Sequence, residues 1–440
     1  MDLLIAFLIF AAAMVAGLII SPDYGMLVAL AMGAICFYAV ARRRGFHSGD
    51  LFRMMFRGIK RSMIVLRIFL LIGCLTALWR ASGTITFFVY HGVRIIPPTL
   101  FLVAGFGLTS LLGYALGTSY GTTGTVGVIL ITLARAGGVP PALMAGAVLS
   151  GAYFGDRTGP ASSCANLVAT VTDTDLYGNL RAMLKSSVVP MLACFAMYGF
   201  LSPRYPLAAG EGGLITLMEQ QFSMSLWCAL PAVLMLVLPL CKVPVRTAMT
   251  ASIAAAAGVS LWVQDQSVLQ LLRASIFGYI PSEPQLAEIL SGGGLLSMVK
   301  VACIVALSST FSGIFEGTRM LENLQDSLGK LANKLSAFGV MLLSSAGITA
   351  VFCNQTIGVM MAQQLLGPVY EKRGLSKEDV AIDIANSMVT MVGLCPWCIA
   401  CAVPLSMLGV GLEAVPWAAF LYLLPLWWLV ARSLQARSKS

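Results

Sequence analysis

Apolar runs of roughly 15–20 residues, parted by short polar breaks, occupy almost the whole chain, the pattern of helices that cross a bilayer. Leu3–Ile20 and Tyr24–Ala41 read as a helical hairpin turned at Ser21-Pro22-Asp23. Leu51–Ile59 has a Met/Phe face and an Arg face, and reads either as a short interfacial helix or as a plain basic loop. Ser62–Trp79, Phe87–Val93 and Pro98–Leu116 follow as apolar runs. Then comes Gly117–Asn166, crowded with Gly, Thr and Ser. Ser187–Leu201, Phe222–Leu240 and Val245–Trp262 are further spans, with a polar loop at Arg204–Gln221 and a connector at Gln264–Gly294. Leu295–Ile314, Ser336–Phe352, Trp397–Leu412 and Val415–Val430 complete the series.

The breaks rhyme. Ser82-Gly83-Thr84, Gly117–Gly127 and Gly159-Pro160 are matched by Phe315–Arg319, Cys353–Gly358 and Gly393–Trp397, at an offset of roughly 235 residues. Helix breakers in corresponding places of two halves are the pattern of a transporter built from repeats, with its site where broken helices meet. The expectation is an all-α polytopic membrane protein of roughly 10–12 transmembrane helices, with two structural repeats, inverted, and broken helices. Its expected organisation is an N-terminal hairpin and basic loop (1–61), a first transport repeat (62–201), linking spans and connector (202–293), a second transport repeat (294–431) and a basic tail (432–440).

Composition agrees with a membrane protein: 58% of residues are hydrophobic and 11% charged, against roughly a quarter charged in soluble domains. The net charge of +9 does not point to nucleic acid, because the basic residues fall in short loops, where they set orientation. The densest of these holds Arg42-Arg43-Arg44, Arg53, Arg57, Lys60 and Arg61, and the tail holds Arg432, Arg437 and Lys439. Both termini are therefore expected on the cytoplasmic side of an inner membrane, with Leu3–Ile20 a retained span. The 11 cysteines mostly sit in apolar runs, as small buried residues do. Cys395, Cys398 and Cys401 would share a helix face, but with two histidines in the chain a soft-metal site is disfavoured. No cofactor is expected. The expected partners are the lipid bilayer and a small ion or organic solute, with a homodimer as the oligomer to test.

Three polar clusters are candidates for binding. Thr118, Ser119, Thr122 and Thr123 lie in a Gly-rich loop that lacks the lysine of a phosphate loop. Their hydroxyls and carbonyls suit Na⁺, or else close packing of small residues. Asp156 and Arg157 end an apolar run, where ionisable groups are costly and usually functional; the alternative is a loop pair in water. Ser162, Ser163 and Asn166 add neutral oxygens. Asp173 and Asp175 read as a turn and a helix cap. Arg80 and Glu316 stand at matching breaks and suggest a cross-repeat ion pair; a local Arg319–Glu322 pair is the competing arrangement. The chain has no His-Glu-x-x-His and no Ser/His/Asp set, which argues against an enzyme, and the repeat argues for a carrier over a channel.

With these residues in view, the chain resembles the NhaC-type Na⁺/H⁺ antiporter family of secondary transporters, from about Ile72 to about Val410. Four blocks carry the resemblance: Trp79–Thr84, Gly117–Gly127, Ser150–Arg157 and Tyr370–Leu375. It implies a bacterial or archaeal inner-membrane carrier working by alternating access, exchanging Na⁺, H⁺ or a small organic acid. The chain departs from the family at four carboxylate positions, which are Ser163, Asn354, Ala385 and Asn386 here. Asp156 is the family carboxylate that remains in these blocks. Either it does the proton work alone, or the substrate has changed toward an anion or zwitterion held by Arg80 or Arg157, with Asn354, Gln355, Asn386 and the threonines as polar ligands.

Overall fold

The computed structural model describes residues 2–20, 24–208, 214–241, 243–318 and 335–437. The turn at Ser21-Pro22-Asp23 and the Arg319–Glu322 pair lie outside the described residues. Within them, regular structure is helical apart from one antiparallel bridge, Tyr279 to Gly292. Apolar surroundings leave a backbone no water to bond, and a helix satisfies its N–H and C=O groups locally.

Among the described residues, four segments are long and apolar enough to cross a membrane: Gly25–Arg43, Pro98–Leu116, Leu176–Arg204 and Leu295–Thr318. A fifth arises if Leu66–Ala81 and Thr84–Gly92, bent by 63°, form one span. Shorter apolar helices of 10–17 residues include Ala337–Phe352 and Ile399–Leu408. The expected ten to twelve spans counted apolar runs, and breaks cut many of those runs below the ~20 residues of a full crossing.

Ser48–Ala81 is one helix of 34 residues, so the boundary expected at 61/62 falls inside it, as does Leu51–Ile59. No proline interrupts this stretch, and Gly58 serves as a contact surface. A Cβ there would stand 2.1 Å from the Ser309 carbonyl oxygen. Four residues on, the Ser62 and Ser309 hydroxyls meet at 2.5 Å. Small residues thus let this helix lie against Val299–Thr318. The expected boundary at 431/432 likewise falls inside a helix, Ala419–Arg437.

At the break after Ala81, Gly83 adopts a left-handed conformation (φ 72°). The carbonyls freed there are taken by the connector: Gln266 donates to Ala81 O at 3.1 Å and Gln264 to Ser82 O at 3.3 Å. Irregular backbone is kept at this depth because protein surrounds and bonds it.

The two halves share their breaks in register. Phe101–Leu116 ends on Gly117 (φ 63°, ψ 29°), and Thr118 is extended (φ −150°, ψ 126°) before a new turn begins at Ser119. Displaced by 236 residues, Ala337–Phe352 ends on Cys353 (φ 54°, ψ 16°), and Asn354 is extended (φ −140°, ψ 125°) before Gln355–Lys372. Each extended residue caps the helix after it: Thr118 Oγ1 accepts from Gly121 N and Asn354 Oδ1 from Ile357 N. The same displacement relates Ser163–Thr172 to Ile399–Leu408, both of 10 residues and both ending left-handed, on Asp173 and Gly409.

An aromatic cluster docks the N-terminal hairpin onto the second half. Phe10 and Phe37 lie with ring centroids 5.5 and 5.3 Å from Phe311, and Phe10 is 5.5 Å from Trp397.

Candidate functional site

Pro141–Thr158 carries Asp156 in its last turn. Its approach to Phe101–Leu116 is close: a Cβ on Gly155 would fall 1.9 Å from the backbone of Gly113. That contact sets the height of Asp156 against the first break. Tyr153 donates to Ala400 O at 2.5 Å, tying the same helix to Ile399–Leu408 of the second half.

Asp156 is buried, with 5% of its surface exposed. The Ser119 hydroxyl donates to its Oδ2 at 3.4 Å, and the Ser119 backbone and the Gln355 side chain, whose Nε2 donates to Val389 O at 3.2 Å, lie close enough to act on the carboxylate. Ser119 and Gln355 are the first residues of the two restarting segments, 236 positions apart. Two helix starts, one from each half, therefore converge on one carboxylate. The exposed N–H groups of a helix start carry partial positive charge and favour an anion. A carboxylate held there can release a proton and take a cation in its place.

The threonines stand around this point. Thr122 Oγ1 donates to Thr118 O at 2.9 Å, and Thr123 Oγ1 to Ser119 O at 2.8 Å. Bonding back to the preceding turn spends their protons and leaves oxygen lone pairs for a ligand. Thr123–Gly127 forms a π turn, a widened helical turn that recurs at functional sites. Thr123 Oγ1 also lies 3.3 Å from Met407 Sδ.

Other candidates are placed elsewhere. Ser162 is buried and caps Ser163–Thr172, accepting from Cys164 N and Ala165 N at 3.1 Å, and its hydroxyl bonds Asp156 O. Ser163 and Asn166 are exposed, and Asn166 donates to Ser162 O. Asn354 is used as the cap already described. Asp175 caps Leu176–Leu201 through Gly178 N at 2.6 Å, as expected. Asp173 pairs with Lys377 at 2.6 Å in the open, and that lysine holds its carboxyl below the usual carboxylate range.

Arg157 points away from Asp156 and is wholly buried. Its Nε donates to Ala385 O at 3.0 Å, Nη1 to Met183 O and Ser187 Oγ at 3.1 and 2.5 Å, and Nη2 to Ser186 Oγ at 2.7 Å and to Asn386 Oδ1. Every acceptor is neutral. This guanidinium ties three helices together and has no free edge for substrate, while Asn386 Nδ2 is buried without a partner.

Arg80 forms no pair with Glu316. It donates to Thr76 O at 2.7 Å, beside Gly292, whereas Glu316 is exposed on Val299–Thr318. Arg80 instead lines a cavity of about 810 Å³ together with Arg135, Lys300, Ser406, Met407 and Glu413.

Several functional-looking groups were not singled out in the sequence. Arg135 sits in an ordinary basic turn, and only the fold brings it to the cavity. The Ser186-Ser187 pair, polar in an apolar run, was the visible signal of a partner for Arg157. Asp383 had none: it accepts from Tyr370 at 2.8 Å, Trp428 at 2.6 Å and Arg432 at 2.9 Å, and Arg432 lies 49 residues away.

An all-helical apolar chain, with two interrupted helices whose restarts meet at a buried carboxylate, is the construction of a polytopic secondary carrier. The model of the Na⁺/H⁺ antiporter family matches residues 2–165 and 151–431, and the chain belongs to that family. It is similar to the Na⁺/H⁺ antiporter NhaC of Alkalihalophilus pseudofirmus, 25% identical over 92% of this chain and 88% of that one. It is also similar to the malate-2H⁺/Na⁺-lactate antiporter of Bacillus subtilis (26%; 81% and 77%) and the arginine/ornithine antiporter ArcD of Halobacterium salinarum (26%; 86% and 83%). The protein is thus a membrane antiporter by family.

Proposed function

We propose that this antiporter exchanges Na⁺, or a like monovalent cation, for H⁺ by alternating access, with Asp156 as the single group that trades a proton for the cation. The observation that carries this is the convergence of Ser119 and Gln355, one from each half, on the Asp156 carboxylate. Protonated, Asp156 is neutral and the site holds no cation. Deprotonated, it offers the negative charge, with the Ser119 and Thr123 hydroxyls and the Gln355 amide supplying neutral oxygens for the partly dehydrated ion. One carboxylate cannot hold both ions, so competition at one site couples their flows. The repeats are read as inverted, so that rocking one half against the other opens the shared site to each side in turn. Both termini are placed in the cytoplasm, on the strength of the basic Arg42–Arg44 loop and tail.

A second reading is a Na⁺- or H⁺-coupled carrier of a small organic acid or amino acid on the same scaffold. The arginine-lined cavity favours it.

The test is purified protein in liposomes holding a pH-sensitive dye, with Na⁺, Li⁺ or K⁺ added outside. Saturable, cation-dependent proton flux is expected in the wild type. In Asp156→Asn, with insertion intact, it falls to the level of empty liposomes. Wild-type flux in that variant overturns the assignment.

A further inference from the structure

A cavity beside the second-half helix Ile399–Leu408 is a feature that Asp156 does not explain. Thr76, Arg80, Arg135, Ser291–Gly293 and Ser406 give it a polar wall, and its volume of about 810 Å³ is that of a small-molecule site. Two guanidinium groups line it, those of Arg80 and Arg135. Arg80 is 94% buried, forms no ion pair among the described residues, and leaves Nε with no hydrogen-bond partner. Arg135 spends Nη2 on the carbonyls of Leu408 and Gly409, at 3.2 and 2.6 Å. Glu413, the lining carboxylate, is exposed and turned to Gly411 N at 2.8 Å. A buried cation with an unused donor is unfavourable unless something negative completes it.

We infer that this cavity is a binding site for a small organic carboxylate, held by Arg80 and Arg135. The inference rests on the carrier reading and gives its second form a site and a substrate class. A carboxylate matches the planar donor edge of a guanidinium, and Arg80 Nη2, which no hydrogen bond among the described residues uses, is the donor left for it. The site is separate from Asp156 but touches it through one side chain: Met407 lines the cavity on one side and meets Thr123 on the other. An anion here would press on the Thr-rich turn, which gives a structural route for coupling it to the cation.

The experiment is isothermal titration of the purified full-length protein, in Na⁺-free buffer, with L-malate, L-lactate and L-arginine as separate probes. At least one of the two carboxylates binds the wild type, and arginine does not. Arg80→Gln and Arg135→Gln each weaken binding tenfold or more, and Arg80→Lys restores part of the loss. Arg135 is only partly buried, in the last turn of its helix, so its variant tests the site if Arg80→Gln fails to fold. Unchanged affinity in Arg135→Gln, or binding of arginine alone, overturns the inference. No carboxylate binding in a protein that still shows cation-driven proton flux overturns the anion site and leaves the antiport intact. Absence of both signals from folded protein overturns the two together.

Discussion

Asn386 sits where the family resemblance places a carboxylate, and its neighbour is a buried arginine. The perturbation is Asn386→Asp. In the native protein Arg157 has no exposed surface worth counting, five neutral acceptors and no anion, while Asn386 Nδ2 has no partner. An orphaned buried donor costs about 1–3 kcal/mol, and aspartate replaces that NH₂ with an acceptor. The new hydrogen bond to Arg157 becomes charge-assisted, roughly twice as strong as a neutral one. Against this stands the desolvation of a carboxylate, several kcal/mol for an isolated ion. The guanidinium has already been stripped of water in the wild type, so one desolvation penalty, not two, is added. Breaking a buried pair costs about 3–5 kcal/mol, and restoring one here should return less, because the neutral acceptors already soften the lone charge. The net expectation is a gain of about 1–3 kcal/mol. The assay is thermal unfolding in detergent of the wild type, Asn386→Asp, Arg157→Gln and the double variant, read as a double-mutant cycle. A higher midpoint for Asn386→Asp, lost in the Arg157→Gln background, is the expected result. A lower midpoint, or no coupling between the two positions, refutes the reasoning. Exchange rates are expected to change little, because Arg157 and Asn386 lie off the Asp156 cluster.

Two further outcomes follow from contacts that hold the site in place. Gly155→Ala puts a methyl 1.9 Å from the Gly113 backbone, so the two helices must part; overpacking of about 1–3 kcal/mol or more should lower the unfolding midpoint and cation-driven flux together, and a variant as stable and active as the wild type would show the crossing is looser than described. Arg432→Gln removes the cation that bridges Asp379 at 2.8 Å and buried Asp383 at 2.9 Å, leaving Asp383 with only the neutral donors Tyr370 and Trp428 at a cost of about 3 kcal/mol; hydrogen exchange should rise in Lys377–Asn386 and the end of Ala419–Arg437, and unchanged protection there would count against this bridge as what holds the two helices together.

The fold class was plain in the chain because one signal, apolar runs with breakers, decides it. The matching breaks were visible for the same reason: Gly117 and Cys353 each end a helix, and the capping residues Thr118 and Asn354 follow each at once. Span number was not legible, since a hydropathy run does not say whether a left-handed residue splits it. The 61/62 boundary misled because a glycine and a basic stretch look like a linker, yet Gly58 is a packing surface inside a long helix. At the site, Asp156, Ser119 and Gln355 could be named as residue types near breaks, but not their meeting, which depends on two helices brought together across 236 positions. Arg157 was misleading for the opposite reason. Adjacent residues on a helix point about 100° apart, so a neighbour in sequence faces a different partner.

That last point bears on what the missing acids mean. Read as a string, Ser163, Asn354, Ala385 and Asn386 suggest a carrier stripped of its ion site. In the fold they serve separate places. Asn354 caps a helix, a task an aspartate does equally well. Ser163 is exposed, one residue past its own cap. Ala385 offers its backbone carbonyl to Arg157, a contact indifferent to its side chain. Asn386 completes the Arg157 node. None of the four is a bonding partner of the Asp156 carboxylate, whose polar neighbours are Ser119 and Gln355. The neutral positions therefore alter the charge of the scaffold around the site more than the site itself. Arg80 and Arg157 are both buried and neither is paired with an acid among the described residues, while of the two buried aspartates Asp383 is matched by Arg432 and Asp156 stands alone with neutral partners.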